Sequence, residues 1–460
     1  MAPDFRLLSG EAVRGDFARL RSTADARRRL AAALGVPPDR VRIVTANKCL
    51  QDADPFVLAA GAVAQVCVLP DPLEAKVAKL AGLGRFDDLA GARQLALARG
   101  KLAALPARIG ELEALRELSL GENLLRDLPE GLLRLAALQR LSLERNRLAS
   151  LPEELGRLAG LVELDLSDNK LKSLPQSLGK LSALRVLQLS RNALRALPTG
   201  LCRLTALEVL ALEGNQLEEL PEGFGQLAGL RSLAVDGNRL ASLPPDFGRL
   251  AALRSLRAAG NRLFALPEGF GELVSLQSLE LSGNPLTKLP ACFGQLAALE
   301  TLVLNNGRLV ALPEGFGGLA ALRALQLSRN QLSCLPEGFC RLASLQALEL
   351  SGNRLAALPE GFGGLASLRR CELNANRLTE LPDSFAGLAL LQDLVLNENE
   401  LSRLPEDFGR LRALRCLEAK RNKLAALPES FGLLVGLASL ELQGNGLAAL
   451  PEALQHLPAL

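Results

Sequence analysis

Hydrophobic and polar positions along this chain follow a pattern that repeats every 23 residues. Around Asn238, apolar residues stand 8, 5 and 3 positions before the asparagine and 2, 5, 9 and 12 positions after it. The same spacing recurs sixteen times between Gly100 and Asn445, and each recurrence is called a turn. Repeats of this kind bury their apolar faces against their neighbours. We therefore predict one continuous array despite the length of 460 residues.

Each turn contains the signals of a short strand followed by an irregular return. The alternation at positions 233–235 predicts a strand with one buried face. The asparagine comes where the chain leaves the strand, and its amide can bond backbone groups that lack a strand partner. A proline follows the second downstream leucine in all sixteen turns and ends regular pairing. These features predict a parallel sheet beside a buried ladder of asparagine side chains. The predicted ladder consists of Asn123, Asn146, Asn169, Asn192, Asn215, Asn238, Asn261, Asn284, Asn330, Asn353, Asn376, Asn399, Asn422 and Asn445.

Two residues depart from this pattern. Gly307 occupies a ladder position, directly after Asn305 and Asn306. Either a neighbouring asparagine takes the ladder position, or the ladder is locally weak and the array can bend there. Phe264 is the one phenylalanine of the array outside the position nine after the asparagine. It is either an exposed contact residue or partly buried against the next turn.

The repeat L-x-x-L-x-L-x-x-N-x-L, present at 230–240 with valine at one leucine position, resembles the leucine-rich repeat family. The resemblance covers about residues 86–460. It implies an α/β solenoid, a horseshoe with a parallel concave β-sheet. The return half, L-P-x-x-F-G-x-L, is similar to the intracellular class found in Ras-group plant proteins and animal Ras-pathway scaffolds. That likeness implies a partner from small-GTPase or phosphatase signalling.

Residues 5–70 lack the repeat and predict a small α+β domain. A strand is expected to begin at Phe5 and to enter a turn at Ser9-Gly10. Thr23 is predicted to cap a helix over 24–34, which Gly35 ends. Further strands are expected at 41–44 and 63–69, the latter with Val66 and Val68 facing inward.

The segment G-V-P-P-D-R-V-R-I-V-T-A-N-K-C-L-Q-D at 35–52 is similar to ubiquitin. The resemblance covers residues 5–70 and implies an N-terminal ubiquitin-like (β-grasp) domain at 1–70. Val44 corresponds to the centre of the apolar patch of ubiquitin, and Lys48 to a linkage lysine. No Gly-Gly ends the segment, so conjugation is not expected. Val44 either forms a binding patch or has only a packing or solvent role.

Residues 71–99 are predicted to be a linker and N-terminal cap, because an array must cover its first apolar end. A helix is expected over 73–80, with Leu73, Val77 and Leu80 on one side. The array is assigned to 100–460. Its last residues, including Leu454 and Leu457, show no polar closing element. Either the tail covers the last turn, or that edge pairs with a partner.

Charge and cysteine content narrow the class of protein. The net charge is +3, without the strongly basic face of a nucleic-acid-binding protein. None of the eight cysteines forms a C-x-x-C pair, and no signal peptide is evident. These features favour a reducing, cytoplasmic location, with a nuclear one left open. The longest apolar run, 56–69, is too short for a membrane span.

The exposed face of the predicted sheet is acid-rich towards the C-terminus. The positions concerned lie six, four and two before each asparagine. We predict a concave surface for a protein partner with a basic patch. The alternative is a solvated sheet face without a partner. The candidate residues are Asp165, Arg257, Glu280, Glu349, Arg370, Glu372, Asp393, Glu418, Lys420 and Glu441.

No catalytic, cofactor-binding or metal-binding residues are predicted. The only histidine, His456, lies far along the array from most of the cysteines. Cys334 and Cys340 share one turn, but ordinary thiols are expected rather than a metal site. The phrase Gly223-Phe224-Gly225 recurs in several turns and is not a phosphate loop.

Three functions follow in order of preference. The first is a non-enzymatic intracellular scaffold or adaptor that binds a protein partner on its concave face. The second is a ubiquitin-pathway adaptor, in which residues 5–70 bind a ubiquitin receptor and the array selects cargo. The third is a hydrolase or ligase, for which no segment remains to form a catalytic domain.

Overall fold

The computed structural model describes residues 4–7, 12–14, 20, 22–45, 48–51, 63–68 and 71–448. Its N-terminal part contains a mixed four-stranded sheet in the order β1-β4-β2-β3. The strands are β1 (Asp4–Leu7), β2 (Val41–Thr45), β3 (Lys48–Leu50) and β4 (Val63–Val68). β1 pairs with β4 in parallel, whereas β2 is antiparallel to both β4 and β3.

Helix α1 (Thr23–Leu34) packs with this sheet around a small apolar core. Ser22 caps the helix, because its hydroxyl accepts a hydrogen bond from the Asp25 N–H at 3.1 Å. The prediction that Thr23 is the cap was wrong. Thr23 is already the first helical residue and is buried, while Ser22 has the extended backbone of a cap position. Gly35 ends the helix in the left-handed conformation, as predicted.

Several N-terminal predictions concern residues outside the described set. The strand that starts the chain is described only to Leu7, and the turn at Ser9-Gly10 lies outside the described residues. Val66 is buried as predicted, whereas the side chain of Val68 lies outside them. The side chain of Lys48 also lies outside them.

Helix α2 (Pro72–Leu80) begins the segment that covers the first end of the array. The Asp71 carboxylate caps it by accepting a hydrogen bond from Leu73 N–H at 2.8 Å. Val77 is buried in the core of the array, but Leu80 is 39% exposed. Leu80 nevertheless lies close to Gly100 of the array, so its predicted place on one side of the helix with Val77 is not contradicted. Glu74 is also buried on α2, 3.4 Å from Arg108.

Sixteen parallel strands, one per turn, form the second sheet, which confirms the predicted solenoid. They pair in sequence order, so each residue lies beside its equivalent 23 positions away. At ~4.8 Å per strand, the sheet is roughly 75 Å long. The strands β5 to β20 are Gln94–Ala96, Glu117–Ser119, Arg140–Ser142, Glu163–Asp165, Val186–Gln188, Val209–Ala211, Ser232–Ala234, Ser255–Arg257, Ser278–Glu280, Thr301–Val303, Ala324–Gln326, Ala347–Glu349, Arg370–Glu372, Asp393–Val395, Cys416–Glu418 and Ser439–Glu441.

The observed strands begin and end one residue earlier than predicted. In the turn of Asn238 the strand is Ser232–Ala234 rather than 233–235. Val235 still donates a backbone hydrogen bond to Arg257 of the next turn (2.7 Å), but the chain turns away after it. The first strand, Gln94–Ala96, lies within the segment predicted as linker and cap.

Short 3-10 helices form the opposite, convex side. The proline of the turn directly precedes most of these helices, with φ near −65°. Two more, Pro38–Arg40 and Phe86–Leu89, precede the array proper. Those of the array are Ala107–Glu111, Glu130–Arg134, Glu153–Arg157, Gln176–Lys180, Thr199–Arg203, Phe224–Gln226, Pro245–Arg249, Glu268–Glu272, Ala291–Gln295, Glu314–Gly318, Glu337–Arg341, Phe362–Gly364, Asp383–Gly387, Phe408–Arg410 and Glu429–Leu433.

Leucines from both sides fill the space between the sheet and the 3-10 helices. From Phe224 to Phe431, phenylalanine occupies the position nine after the ladder residue, and each ring is fully buried. Neighbouring rings stack, for example Phe270 and Phe293, whose centroids are 6.1 Å apart. Among the described residues, no helix has the length and apolarity needed to cross a membrane.

Candidate functional site

The asparagine ladder fixes the spacing and register of the concave face. Asn238 accepts a hydrogen bond from Leu217 N–H at 3.0 Å and donates to the carbonyls of Leu212 and Val235, both at 3.0 Å. The equivalent side chains from Asn123 to Asn445 make the same contacts with the preceding turn. Each amide therefore ties two turns together at the point where the strand ends. Side chains six and four positions earlier consequently project from the concave sheet in straight rows.

Neither neighbouring asparagine takes the ladder position at Gly307. The Asn305 side chain bonds Gln326 (3.0 Å) and the Ser328 N–H (2.7 Å) on the concave face. Asn306 is exposed and has a left-handed backbone, with φ of 56°. Leu286 N–H, whose equivalents in other turns donate to the next asparagine, therefore faces a residue without a side chain. The sheet continues through this turn, so the weakened ladder does not interrupt strand pairing.

Several predicted residues meet in the last five strands. We call Glu349, Glu372, Asp393, Glu418 and Glu441 the acid patch. Glu349 lies beside Glu372, and Glu418 beside Glu441, in the parallel register. Asp393 pairs with the strand residue Arg370, and all five carboxylates are half-buried. The rows thus bring like charges together at the spacing of one strand.

Two cations neutralise part of the negative charge of the acid patch, and two amides donate hydrogen bonds to it. Arg370 lies 3.8 Å from Glu372, and Lys420 forms an ion pair with Glu441. Gln326 donates to Glu349 (3.0 Å) and Asn397 to Glu418 (2.8 Å), but these amides carry no charge. The patch therefore has five carboxylates against two cations.

The pKa of the Glu372 carboxyl is raised by its position in the acid patch. Partial burial, followed by the negative charge of Glu349, raises its pKa, and the nearby Arg370 only partly opposes this effect. Glu418 and Asp393 add to the same effect. A cationic group placed over these carboxylates would relieve their repulsion, so the patch is suited to a basic partner.

The other predicted surface residues lie outside the acid patch. Arg257 on β12 forms an ion pair with Asp236 at 2.9 Å. Glu280 on β13 accepts a hydrogen bond from Ser282 N–H at 2.9 Å. Asp165 on β8 accepts one from Ser167 N–H at 2.9 Å. The predicted residues therefore share one face of the sheet but do not form a single site.

A concave cavity near the N-terminal end was missed by the sequence reasoning, apart from Asp165. It has a volume of about 390 Å³ and is lined by Glu117, Arg140, Glu163 and Asp165 among others. Arg140 bridges Glu117 (2.8 Å) and Glu163 (3.5 Å) across three strands. The signal was present in the row six positions before each ladder residue, where these three residues alternate in charge.

Phe264 and Val44 were the remaining candidate binding residues. Phe264 is 60% exposed, so the expectation of partial burial against the next turn was wrong. Val44 is half-buried on β2.

The cysteines whose side chains the structure describes, Cys202, Cys292, Cys334, Cys340, Cys371 and Cys416, are free thiols. Burial raises the pKa of the Cys340 thiol, which disfavours a reactive thiolate. Cys334 is exposed in the same turn. Within the described part of the chain, no group of three or more His, Cys, Asp or Glu could hold a metal ion. His456 lies outside the described residues.

Comparison with protein families gives matches along most of the array. Leucine-rich repeat models match residues 91–148, 297–355 and 366–424. A model of a leucine-rich repeat region matches 168–261, and a further leucine-rich repeat model matches 275–296. No curated protein matches the chain.

Solved structures are similar over the same region. A leucine-rich repeat protein of Leptospira interrogans is 31% identical, with a TM-score of 0.64, over 79% of this chain and 92% of that one. A TDR receptor is 30% identical, with a TM-score of 0.65, over 81% and 71%. The ectodomain of the receptor kinase GASSHO1/SCHENGEN3 of Arabidopsis thaliana, in complex with CASPARIAN STRIP INTEGRITY FACTOR 2, is 29% identical, with a TM-score of 0.57, over 80% and 52%.

Proposed function

This chain belongs to the leucine-rich repeat family, and we propose that its concave sheet binds a basic region of a protein partner at the acid patch. The observation that carries the proposal is the adjacent pair Glu349 and Glu372, held one strand apart with too few cations nearby. The two carboxylates repel each other in the unbound protein, and a cationic group of a partner would relieve that repulsion on binding. The array then acts as a scaffold or adaptor without chemistry of its own.

The solved relatives support binding by such an array. The Arabidopsis ectodomain is described in complex with CASPARIAN STRIP INTEGRITY FACTOR 2, and another plant receptor, RGFR1, in complex with RGF2. RGFR1 is described as a plant peptide hormone receptor. The ligand of the present chain is inferred from the acid patch alone.

Charge reversal tests the acid patch. The triple variant Glu349→Lys, Glu372→Lys, Glu418→Lys is compared with the wild-type protein for binding a labelled lysine- and arginine-rich peptide and for capturing proteins from a cell extract. We expect binding of the peptide to fall at least tenfold (about 1.4 kcal/mol) and proteins with basic segments to be lost from the capture. The variant Asp165→Lys, Glu280→Lys, on the same face but outside the patch, is the control. Equal loss in that variant, or none in either, would refute the proposal.

The likeness of the L-P-x-x-F-G-x-L return half to Ras-group proteins leads to a finer proposal. We infer an intracellular signalling scaffold whose partner is a small GTPase or a phosphatase component, in the cytoplasm. The free thiols Cys202, Cys292 and Cys334 are compatible with a reducing compartment. Incubation of the full chain with GTP-loaded and GDP-loaded small GTPases tests it, and nucleotide-dependent binding is the expected result.

The N-terminal sheet supports a second role, as a ubiquitin-like module at residues 5–70. β1 pairs in parallel with β4, the last strand, and α1 packs against them over Phe5, Leu30 and Ile43. If Val44 is the centre of a binding patch, Val44→Asp in the full chain abolishes binding to a ubiquitin receptor domain. Capture by the acid patch is expected to be unchanged in this variant. Retained receptor binding would assign Val44 a packing role only.

A further inference from the structure

Two rows of side chains flank the asparagine ladder on one edge of the solenoid. One row lies one residue before each ladder position, and the other lies one residue after it. From the turn of Asn238 to that of Asn376, these fourteen positions hold six arginines and no acidic residue. All six side chains are exposed. We call Arg239, Arg262, Arg308, Arg329, Arg354 and Arg377 the arginine edge.

The backbone places five of the six arginines in one straight row, one residue after the ladder position, and Arg329 in the parallel row one residue before it. Arg239 N–H bonds the Leu217 carbonyl at 2.8 Å, and Arg262 N–H bonds that of Leu240 at 2.9 Å. Arg354 and Arg377 make the same bond, each at 2.9 Å. Their side chains therefore leave the edge from equivalent points, at intervals of about 4.8 Å per turn.

The same rows are neutralised at the two ends of the array. In the first turns, Arg99, Glu122, Arg145, Asp168 and Arg191 form a continuous chain of ion pairs from 2.9 to 4.0 Å. In the last turns, Arg421 pairs with Glu398 and Lys423 with Glu400, both at 2.7 Å. Among the described residues, the ion pairs within 4.0 Å include none of the six arginines of the edge. Lys423 and, to a lesser extent, Arg377 lower the pKa of Glu400, so Arg377 lies near one carboxylate. Within the described part of the chain, the other five arginines lack the ion-pair partners that the ends possess.

Two apolar side chains and an open backbone accompany these cations. Phe264 and Val310, each two residues after an arginine of the edge, are 60% and 50% exposed. On the other side lie Gly237, Gly260 and Gly283, whose positive φ and lack of side chains leave the backbone uncovered. A chain lying over these glycines could approach closely and place one side against the arginines.

We propose that the arginine edge is a second binding surface, separate from the acid patch, for an extended acidic polypeptide segment with an apolar anchor residue. Carboxylates of the segment pair with the arginines, because a planar guanidinium group can donate two hydrogen bonds to one carboxylate. A leucine or phenylalanine of the segment packs on Phe264 or Val310. The seven turns span roughly 30 Å, which about nine extended residues would cover.

A polypeptide fits this edge better than a nucleic acid. The row of cations is one side chain wide, and the concave face beside it carries carboxylates, including Asp236 and Glu280, which repel a broad polyanion. Phe264 is a single ring, whereas surfaces for single strands stack successive bases on several aromatics. An extended peptide brings its own apolar side chain and needs only a narrow track.

Fluorescence anisotropy with the full-length protein tests the proposal. The probe is a labelled ten-residue peptide rich in Asp and Glu with one central leucine. The edge variant is Arg262→Ala, Arg308→Ala, Arg354→Ala. The control variant, Arg99→Ala, Arg145→Ala, Arg191→Ala, removes the same number of cations from the neighbouring row, one residue before the ladder position, where they are already paired. We expect the edge variant to bind about tenfold more weakly, at two- to threefold per exposed ion pair, and the control to bind like wild type. Added salt should weaken wild-type binding.

Further comparisons separate the alternatives. Phe264→Ala should weaken binding of the leucine-containing peptide and leave a peptide with glycine at that position unchanged. The proposal is overturned if the edge and control variants lose equally, if wild type does not bind the acidic peptide, or if a single-stranded oligonucleotide of equal charge binds more tightly than the peptide. Reversal of the acid patch should not reduce binding of this probe, so the two surfaces can fail independently.

Discussion

The first five turns and the ten that follow are built on the same ladder but filled differently. Nine positions after the ladder residue, the first five have Ile109, Leu132, Leu155, Leu178 and Leu201, whereas the next ten have phenylalanine. All of these side chains are buried, and the strands pair in one unbroken register across the change. The aromatic stack is therefore not what sets the solenoid geometry. The asparagines and the leucines around them, present on both sides of the change, do so.

The surfaces of the two regions differ more than their cores. The first turns carry alternating charges that pair from turn to turn, as Arg99, Glu122 and Arg145 do. The later turns segregate charge, with the acid patch on the concave face and the arginine edge beside it. Charged side chains in the paired rows already have oppositely charged neighbours in the same chain. Those in the segregated rows do not, so they are available for a partner of opposite charge. This difference is the reason we propose that binding belongs to the later turns.

The largest expected effect concerns the phenylalanine stack. Phe293→Ala removes a fully buried ring that stacks on both Phe270 and Phe316, and should cost about 3–5 kcal/mol of unfolding free energy. Phe293→Leu installs the residue of the first turns and should cost clearly less, since leucine fills much of the volume. Urea denaturation followed by circular dichroism measures both. If leucine were as damaging as alanine, the ring stack itself would be essential to the later turns.

The ladder should matter equally in both regions. Asn238→Ala leaves the buried N–H of Leu217 without its acceptor, whereas the carbonyls of Leu212 and Val235 each keep a bond from a neighbouring asparagine. One buried unpaired group costs about 1–3 kcal/mol. Asn146→Ala, which removes the acceptor of Leu125 N–H, should cost a similar amount. A much larger loss in one region, measured by the same denaturation, would show that the two regions use the ladder differently.

Gly307 offers the converse experiment. Gly307→Asn should supply an acceptor for Leu286 N–H and raise the unfolding free energy by about 1 kcal/mol. A Cβ at this position would meet the Asn330 amide oxygen at 2.6 Å, and that oxygen accepts a hydrogen bond from Leu309 N–H at 3.1 Å. Asn330 therefore has to shift, which makes this gain an upper limit. Gly307→Ala adds the same contact without an acceptor and should be neutral or destabilising. Equal stability of the two variants would contradict this account.

The repeated features of the fold could be predicted from the sequence, whereas features that depend on local backbone conformation could not. The 23-residue period predicts the sixteen strands because each buried position is reinforced in every turn. Ser22 and Thr23 have the same capping chemistry, so only the backbone decides which of them caps α1.

The candidate site was only partly predictable for a related reason. The acid patch was visible because four of its five residues lie four positions before a ladder residue, and Asp393 lies six before one. The chain of ion pairs from Arg99 to Arg191 is equally regular, but it lies one residue before the ladder, outside the positions six, four and two before it from which the surface was predicted. Charge alternation along a row has no signature within one turn. It becomes evident when side chains 23 residues apart are known to be adjacent.

The smallest expected effect compares two single carboxyls, one in each region. Glu372 in the acid patch has a raised pKa, so the folded state binds its proton more tightly than the unfolded state does, and this group makes stability fall as pH rises from its unfolded pKa through its folded pKa. Glu372→Gln should therefore stabilise the protein at pH 7, by no more than about 0.5 kcal/mol at this half-exposed site. The gain should vanish as pH falls below the unfolded pKa of about 4.3.

Glu122 in the first turns should behave in the opposite way. Its hydrogen bond from Arg99 lowers its pKa, so it contributes stability above the unfolded pKa that is lost as pH falls through the folded pKa. Glu122→Gln should therefore slightly destabilise the protein at pH 7 and have no effect in acid. Thermal denaturation of both variants between pH 3 and pH 8 gives the two signs. If both variants shifted in the same direction, unneutralised charge would not be what distinguishes the acid patch from the paired rows, and the case for a basic partner would lose its electrostatic basis.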